Sequence, residues 1–158
     1  MELTSLNQRD DALIAQLPSQ CMSFRLGGQA YAVDILSVQE LRRYSEPTSL
    51  PDVPAYLSGV INLRGAVVPV LDLRVRFNLE PKLDRLTVII VVAVRGKSVG
   101  LVVDEVTSVL MLSTESVRRA PAMARQVDAS FILGMIPNGD ALVTLLDIDR
   151  LVAEELAA

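Results

Sequence analysis

The chain has 158 residues, 51% of them hydrophobic and 22% charged, with a formal net charge of -4; one domain, or two small subdomains sharing an interface, can bury a core at this size. An acidic balance argues against a nucleic-acid footprint, which needs concentrated Lys and Arg, and the absence of His beside a single cysteine, Cys21, removes Ser-His-Asp and Cys-His catalysis, most zinc sites and any internal disulfide. The longest apolar run, Val88 to Val94, is far short of the roughly 20 residues of a membrane helix, so no direct membrane insertion is expected.

Residues 1–20 are expected to form a mobile tail or short helix: the segment is polar and acidic, with a sparse apolar set of Leu6, Leu13, Ile14 and Leu17 ending at Pro18. It lacks the basic-then-apolar order of a secretory signal, which predicts a cytoplasmic protein. From Met22 onward short β-branched runs alternate with turn residues: MSFRLGG, YAVDI, GVINLRG, AVVPVLDL, LTVIIVVAVRG, SVGLVVDEV, SVLML and ALVTLLDI. This texture predicts a mostly β fold over 21–158. Helices are minor: a turn at Pro54 to Leu57, one near Leu73 to Phe77, and a terminal helix over about 149–156. In the last, Leu151, Val152 and Leu156 share a face and Asp147 or Asp149 caps the start. The eight glycines are scattered and fit neither the P-loop nor the dinucleotide-binding spacing.

The chain also resembles itself. QAYAVDILSVQEL after Gly28 aligns ungapped with KSVGLVVDEVTSV after Gly96, and YLSGVINLRGAVVPVLDL aligns ungapped with FILGMIPNGDALVTLLDI, placing Gly59 on Gly134 and Asp72 on Asp147. The offsets are 68 and 75 residues, so two related β subdomains, roughly 28–80 and 86–148, made from one duplicated plan are expected. Five strands in each are too few for an open sheet to bury two faces, which favours closure into two small barrels packed together.

The internal comparison isolates Arg64. Where the first copy has INLRGA the second has IPNGDA, so the shared fold does not require an arginine at this hairpin, and Gly65 is placed to supply a positive φ. Arg64 is then either a solvated charge at a hairpin tip or a recognition arginine whose fork is aimed at a partner. The other charges have plain expectations. Asp104 and Glu105 are strand neighbours facing opposite ways, unsuited to acid/base work. Asp72 and Asp147 suit a shared turn or helix cap. Arg74, Arg76, Lys82 and Arg85 are expected on solvated surface.

GVINLRGAVVPVLDLRVRF closely resembles the signature segment of the CheW family of chemotaxis coupling proteins. SFRLGGQAYAVDILSVQELRRY is similar to the family's opening strands and VGLVVDEVTSVLMLSTESVRRAP to its second-half core, so that the resemblance runs in order from about Met22 to Leu156. It implies two intertwined SH3-like five-stranded β-barrels with a short C-terminal helix, and a non-catalytic adaptor without cofactor or metal. The implied partners are the regulatory domain of the histidine kinase CheA, the cytoplasmic tips of methyl-accepting chemotaxis receptors, and other copies of the chain in array rings.

Carried over by position, the resemblance assigns Arg64, Glu40 and Asn62 to receptor coupling, with Arg64 expected to pair with Glu40. It assigns Ile35 and Val38 to kinase contact, against the plain alternative that these alternating residues are core, and Arg118 and Met123 to a ring contact. Family members often carry an acidic residue and a Phe where this chain has Ala122 and Met123, which a thioether fills with less area. Gly59 and Gly65 are expected to serve the backbone. The alternative function is a CheW-like scaffold for a non-flagellar CheA-type pathway, in surface motility or gene expression; a hybrid adaptor is disfavoured because no receiver domain follows before Ala158.

Overall fold

The computed structural model describes residues 17–119 and 129–153. Ten strands follow in chain order: β1 (Gln20–Leu26), β2 (Gln29–Asp34), β3 (Val38–Arg43), β4 (Leu57–Leu63), β5 (Ala66–Asp72), β6 (Val88–Val94), β7 (Lys97–Val103), β8 (Glu105–Met111), β9 (Ile132–Asn138) and β10 (Ala141–Leu146). They form two five-stranded sheets, ordered β8-β1-β2-β10-β9 and β3-β6-β7-β5-β4. Most neighbours are antiparallel, but β2 with β10 and β5 with β7 run parallel. Each sheet curls until its outer strands approach, and a single backbone bridge marks the seam: Thr48 with Val60 in one, Arg118 with Met135 in the other.

The duplication is visible strand for strand, since β1 to β5 occupy the same places as β6 to β10. The barrels are nevertheless not the successive halves 28–80 and 86–148. The first barrel takes β1 and β2 from the first copy and β8 to β10 from the second; the second barrel takes β3 to β7. The chain changes barrel at the 3-10 turn Ile35–Ser37 and again at Asp104, between β7 and β8. Sequence repeats mark what was copied, whereas a barrel is whatever set of edges hydrogen-bonds shut, and here the two boundaries differ.

Three apolar clusters follow from this weave. Cys21, Ala32, Val117, Ile136, Val143 and Leu145 fill the first barrel, and Leu63, Val68, Val70, Ile89, Val91 and Val102 fill the second. The largest cluster draws on both sheets, with Phe24, Tyr31 and Val33 meeting Leu71, Ile90, Val92 and Leu101 between the barrels. Strands buried on both faces lose their apolar alternation, which is why β6 is an unbroken VIIVVAV.

Two short helices close the strands that precede them. α1 (Leu73–Arg76) is capped by Asp72, whose side chain accepts from the Arg74 backbone N–H, and α2 (Ile148–Leu151) by Asp147, which accepts from the Arg150 N–H. The terminal helix thus begins one residue before the expected 149, with Leu151 and Val152 buried, while Leu156 lies outside the described residues. The N-terminal tail up to residue 16 does so as well.

Arg74 corrects the expectation of a solvated cluster. It is 1% exposed and grips Asp72 with two parallel bonds, Nε to Oδ1 at 2.8 Å and Nη2 to Oδ2 at 3.0 Å. Nη1 donates to the Lys82 carbonyl at 2.6 Å and to Asp104 Oδ1 at 3.1 Å. The other Asp104 oxygen accepts from the Gly27 backbone N–H at 2.8 Å, so this network ties the β1–β2 turn of one barrel to α1 of the other. Burial works against the charged guanidinium, but hydrogen bonds and attraction from Asp72 and then Asp104 outweigh it and raise its pKa. Arg76 is also engaged, with its guanidinium carbon 4.8 Å from the ring centres of both Tyr56 and Phe131. Lys82 and Arg85 are exposed.

Candidate functional site

The β4–β5 hairpin turns on Arg64 and Gly65, both at positive φ, 50° and 88°, the pattern of a type I′ turn whose twist matches its strands. Asn62 Oδ1 accepts from the Gly65 N–H at 2.8 Å, so this side chain shapes the turn. Arginine in the left-handed region costs about 1–2 kcal/mol, a penalty glycine escapes. In the second copy the corresponding residue is glycine, Gly139, at φ 64°.

Glu40 reaches Arg64 across the seam between β3 and β4. Arg64 Nη2 donates to Glu40 Oε1 at 2.9 Å, with the two side chains 72% and 26% exposed. It is a single contact and not a fork, and β3 and β4 meet only where the barrel closes, as the outer strands of their sheet. An exposed pair of this kind is worth about 0–1 kcal/mol, which does no more than offset the backbone strain of Arg64. Stability therefore does not explain this arginine. A register shift in β3 between Val38 and Glu40 re-aims the strand at this point, and Arg42 follows on the same half-buried face, its Nε buried with no hydrogen-bond partner.

Ile35 and Val38 are half-buried rather than presented, Val38 being packed against the core between the barrels. The residue that projects is Leu36, 86% exposed. Asp34 Oδ1 accepts from the Leu36 N–H at 2.9 Å and starts the 3-10 turn. This turn interrupts the strand alternation, so counting by twos through Ile35 misses Leu36.

In the other barrel Arg118 forms the seam by exchanging two backbone hydrogen bonds with Met135, at 2.8 and 2.7 Å. Its guanidinium folds back onto the carbonyls of Glu115 and Val117 and is not extended into solvent. Met123 lies outside the described residues.

The seams also explain two glycines. Gly59 sits at φ +145°, and a Cβ there would lie 2.1 Å from the Thr48 carbonyl oxygen; at Gly134 a Cβ would lie 2.6 Å from Val117 Cγ1 and 3.0 Å from the Arg118 oxygen. At Gly59 one backbone crosses another too closely for any side chain, and at Gly134 the Val117 side chain and the Arg118 carbonyl leave no room for one. Gly65 has open space about it and is required for its φ alone.

Among the described residues no group of three or more His, Cys, Asp or Glu is placed to hold a metal ion, and no helix is long and apolar enough to cross a membrane. Cys21 is buried, and desolvation, then the charge of Asp34, pushes its thiol up to about 11, which leaves it unreactive near neutral pH.

A family model described as "CheW-like domain" matches residues 20–156. A probable chemotaxis protein CheW of Rhizobium etli is 38% identical over 151 residues, covering 95% of this chain and 92% of that protein. The chemotaxis protein CheW of Klebsiella aerogenes is 40% identical over 133 residues, covering 84% and 80%. Among solved structures, the crystal structure of the scaffolding protein TtCheW from Thermoanaerobacter tengcongensis matches with a TM-score of 0.76 at 29% identity, covering 84% of this chain and 86% of that one.

Proposed function

The chain belongs to the CheW family of chemotaxis scaffolding and coupling proteins, and we propose that it links the cytoplasmic tips of methyl-accepting receptors to the regulatory domain of CheA, without catalysis of its own. The observation that carries the reading is Arg64. It occupies a strained, exposed turn where the duplicated copy has glycine, it adds no net stability, and Glu40 holds its side chain outward. Strain at an exposed charge suits a residue kept for contact, and what separates Arg64 from Arg95, which shares the positive φ at 53°, is the 2.9 Å bond to Glu40. Arg64 and Glu40, on the turn that Asn62 shapes, form the receptor-facing part. The kinase-facing part is the 3-10 turn after β2, where Leu36 supplies the apolar anchor and Ile35 and Val38 support it from behind. Arg118 and the segment through Met123 carry the ring contact, with kinase or with further copies of this chain. On this reading the protein sits in the cytoplasm beneath the receptors, where singly weak contacts gain strength from repetition in an array.

The test is co-sedimentation of receptor cytoplasmic fragments, CheA and this protein, with kinase activity read in the same tubes. Wild type assembles an active complex, while Arg64→Ala and Glu40→Ala, folded by circular dichroism, both lose it. Wild-type assembly retained by both variants would remove Arg64 from the coupling surface; no assembly by wild type would remove the receptor–kinase role.

A further inference from the structure

Glu40 is bonded to one guanidinium and shares a strand face with the residue that carries a second. The first is that of Arg64, exposed and bonded to Glu40 through one nitrogen at 2.9 Å. The second is that of Arg42, two residues along the same face of β3, with a buried Nε that has no acceptor. Same-face neighbours on a strand lie about 6.5–7 Å apart, within the combined reach of Arg and Glu. A buried donor without a partner is an unfavourable state that a carboxylate within reach relieves.

We infer that Glu40 is an exchangeable counter-ion: when an acidic side chain of a partner engages Arg64, Glu40 releases it and turns to the Nε of Arg42. This rests on the reading of Arg64 as partner-facing, and it adds the chemistry of the partner group. To displace a charge-assisted bond the incoming group must itself be a carboxylate, since a neutral carbonyl competes poorly. The free protein holds one ion pair and one unsatisfied donor at this seam, and the bound protein holds two ion pairs. Arg42 is a positioning residue, acting through Glu40 without touching the partner.

Arginine-selective proton–nitrogen spectra of the full chain test the exchange without a partner, because Arg64→Ala frees Glu40 by itself. The Arg42 Nε–H signal is expected to move downfield in Arg64→Ala and to exchange with water about fivefold more slowly, the factor that one net hydrogen bond supplies. Adding Glu40→Gln should reverse both changes. An Arg42 signal that is the same in wild type and Arg64→Ala overturns the exchange, whatever the coupling assay shows. In binding to receptor fragments, Arg42→Met should weaken the complex about fivefold, and Arg42→Lys, which lacks Nε, should not rescue it. Binding unchanged in Arg42→Met, or restored by Arg42→Lys, overturns the role of the Arg42 Nε. Where Arg42→Met fails to fold, the spectra of Arg64→Ala decide, since that variant keeps Arg42. Wild-type receptor binding by Arg64→Ala would instead remove the partner-facing role and leave the spectra to judge the exchange.

Discussion

Gly59→Ala adds one methyl group where two backbones cross. The added carbon would stand 2.1 Å from the Thr48 oxygen and 2.6 Å from the Thr48 carbonyl carbon, whereas real Cβ atoms essentially never come within 3.0 Å of such neighbours. Neither atom belongs to a flexible side chain, so the backbone must part by about an ångström. Parting it breaks the reciprocal pair that closes the barrel, Thr48 N–H to Val60 O and Val60 N–H to Thr48 O, both 2.9 Å. Two backbone hydrogen bonds at about 1 kcal/mol each, with about 1 kcal/mol more for an alanine at positive φ, come to about 3 kcal/mol. For a domain of this length that is a fall in Tm of about 6–12 °C. Gly65→Ala is the control: its φ is also positive, at +88°, but nothing lies within 4 Å of the added carbon, and a penalty of about 1 kcal/mol lowers Tm by only about 2–4 °C. Thermal melts followed by circular dichroism at 218 nm, about the wavelength of the β-sheet signal, measure both. Equal shifts for the two variants would refute the argument, because they would show that the crossing contributes nothing beyond φ.

Arg74→Met strands the carboxylates of Asp72 and Asp104, and the loss should be about 3 kcal/mol, the low end for breaking a buried pair because Asp104 is partly exposed; urea denaturation showing less than about 1 kcal/mol would mean that the network is dispensable. Arg64→Gly removes an exposed ion pair and relieves a left-handed arginine, so stability should stay within about 1 kcal/mol of wild type while receptor coupling disappears. A large fall in Tm would return Arg64 to a structural role. Cys21 predicts an alkaline dependence. Below pH 9.0 both folded and unfolded chains hold the thiol proton; above it the unfolded chain releases the proton while the folded one keeps it to about 11. Stability therefore falls across that window, and burial of Tyr31 acts in the same direction at higher pH. Urea melts at either end of the window should show a smaller fall for Cys21→Ala, and identical falls would refute the assignment.

Much of this was legible before any coordinates. Alternation gave the strands their places, the two offsets paired them across copies, and the substitution of glycine for Arg64 in the second copy singled out the residue that Glu40 meets at 2.9 Å. The family resemblance implied that the barrels intertwine, but which strands cross over was not legible, because alternation says which side of a strand is apolar and nothing about which edge it joins. The parallel contacts of β2 with β10 and β5 with β7 leave no mark in either segment. Arg74 was misplaced for a related reason: a charged residue defaults to the surface, and one of the acids that reverses this, Asp104, lies thirty positions away. Leu36 was missed because a three-residue 3-10 turn shifts the count by which strand faces are assigned.

The strand exchange bears on assembly. A lone copy of the repeat owns two strands of one barrel and three of the other, so by itself it closes neither. Two such copies close both by trading strands, as the protomers of a domain-swapped homodimer do. Here the two copies are joined in one chain through the connection between α1 and β6. Cutting the connection should yield two fragments that are each unfolded alone and recover the ten-stranded fold on mixing.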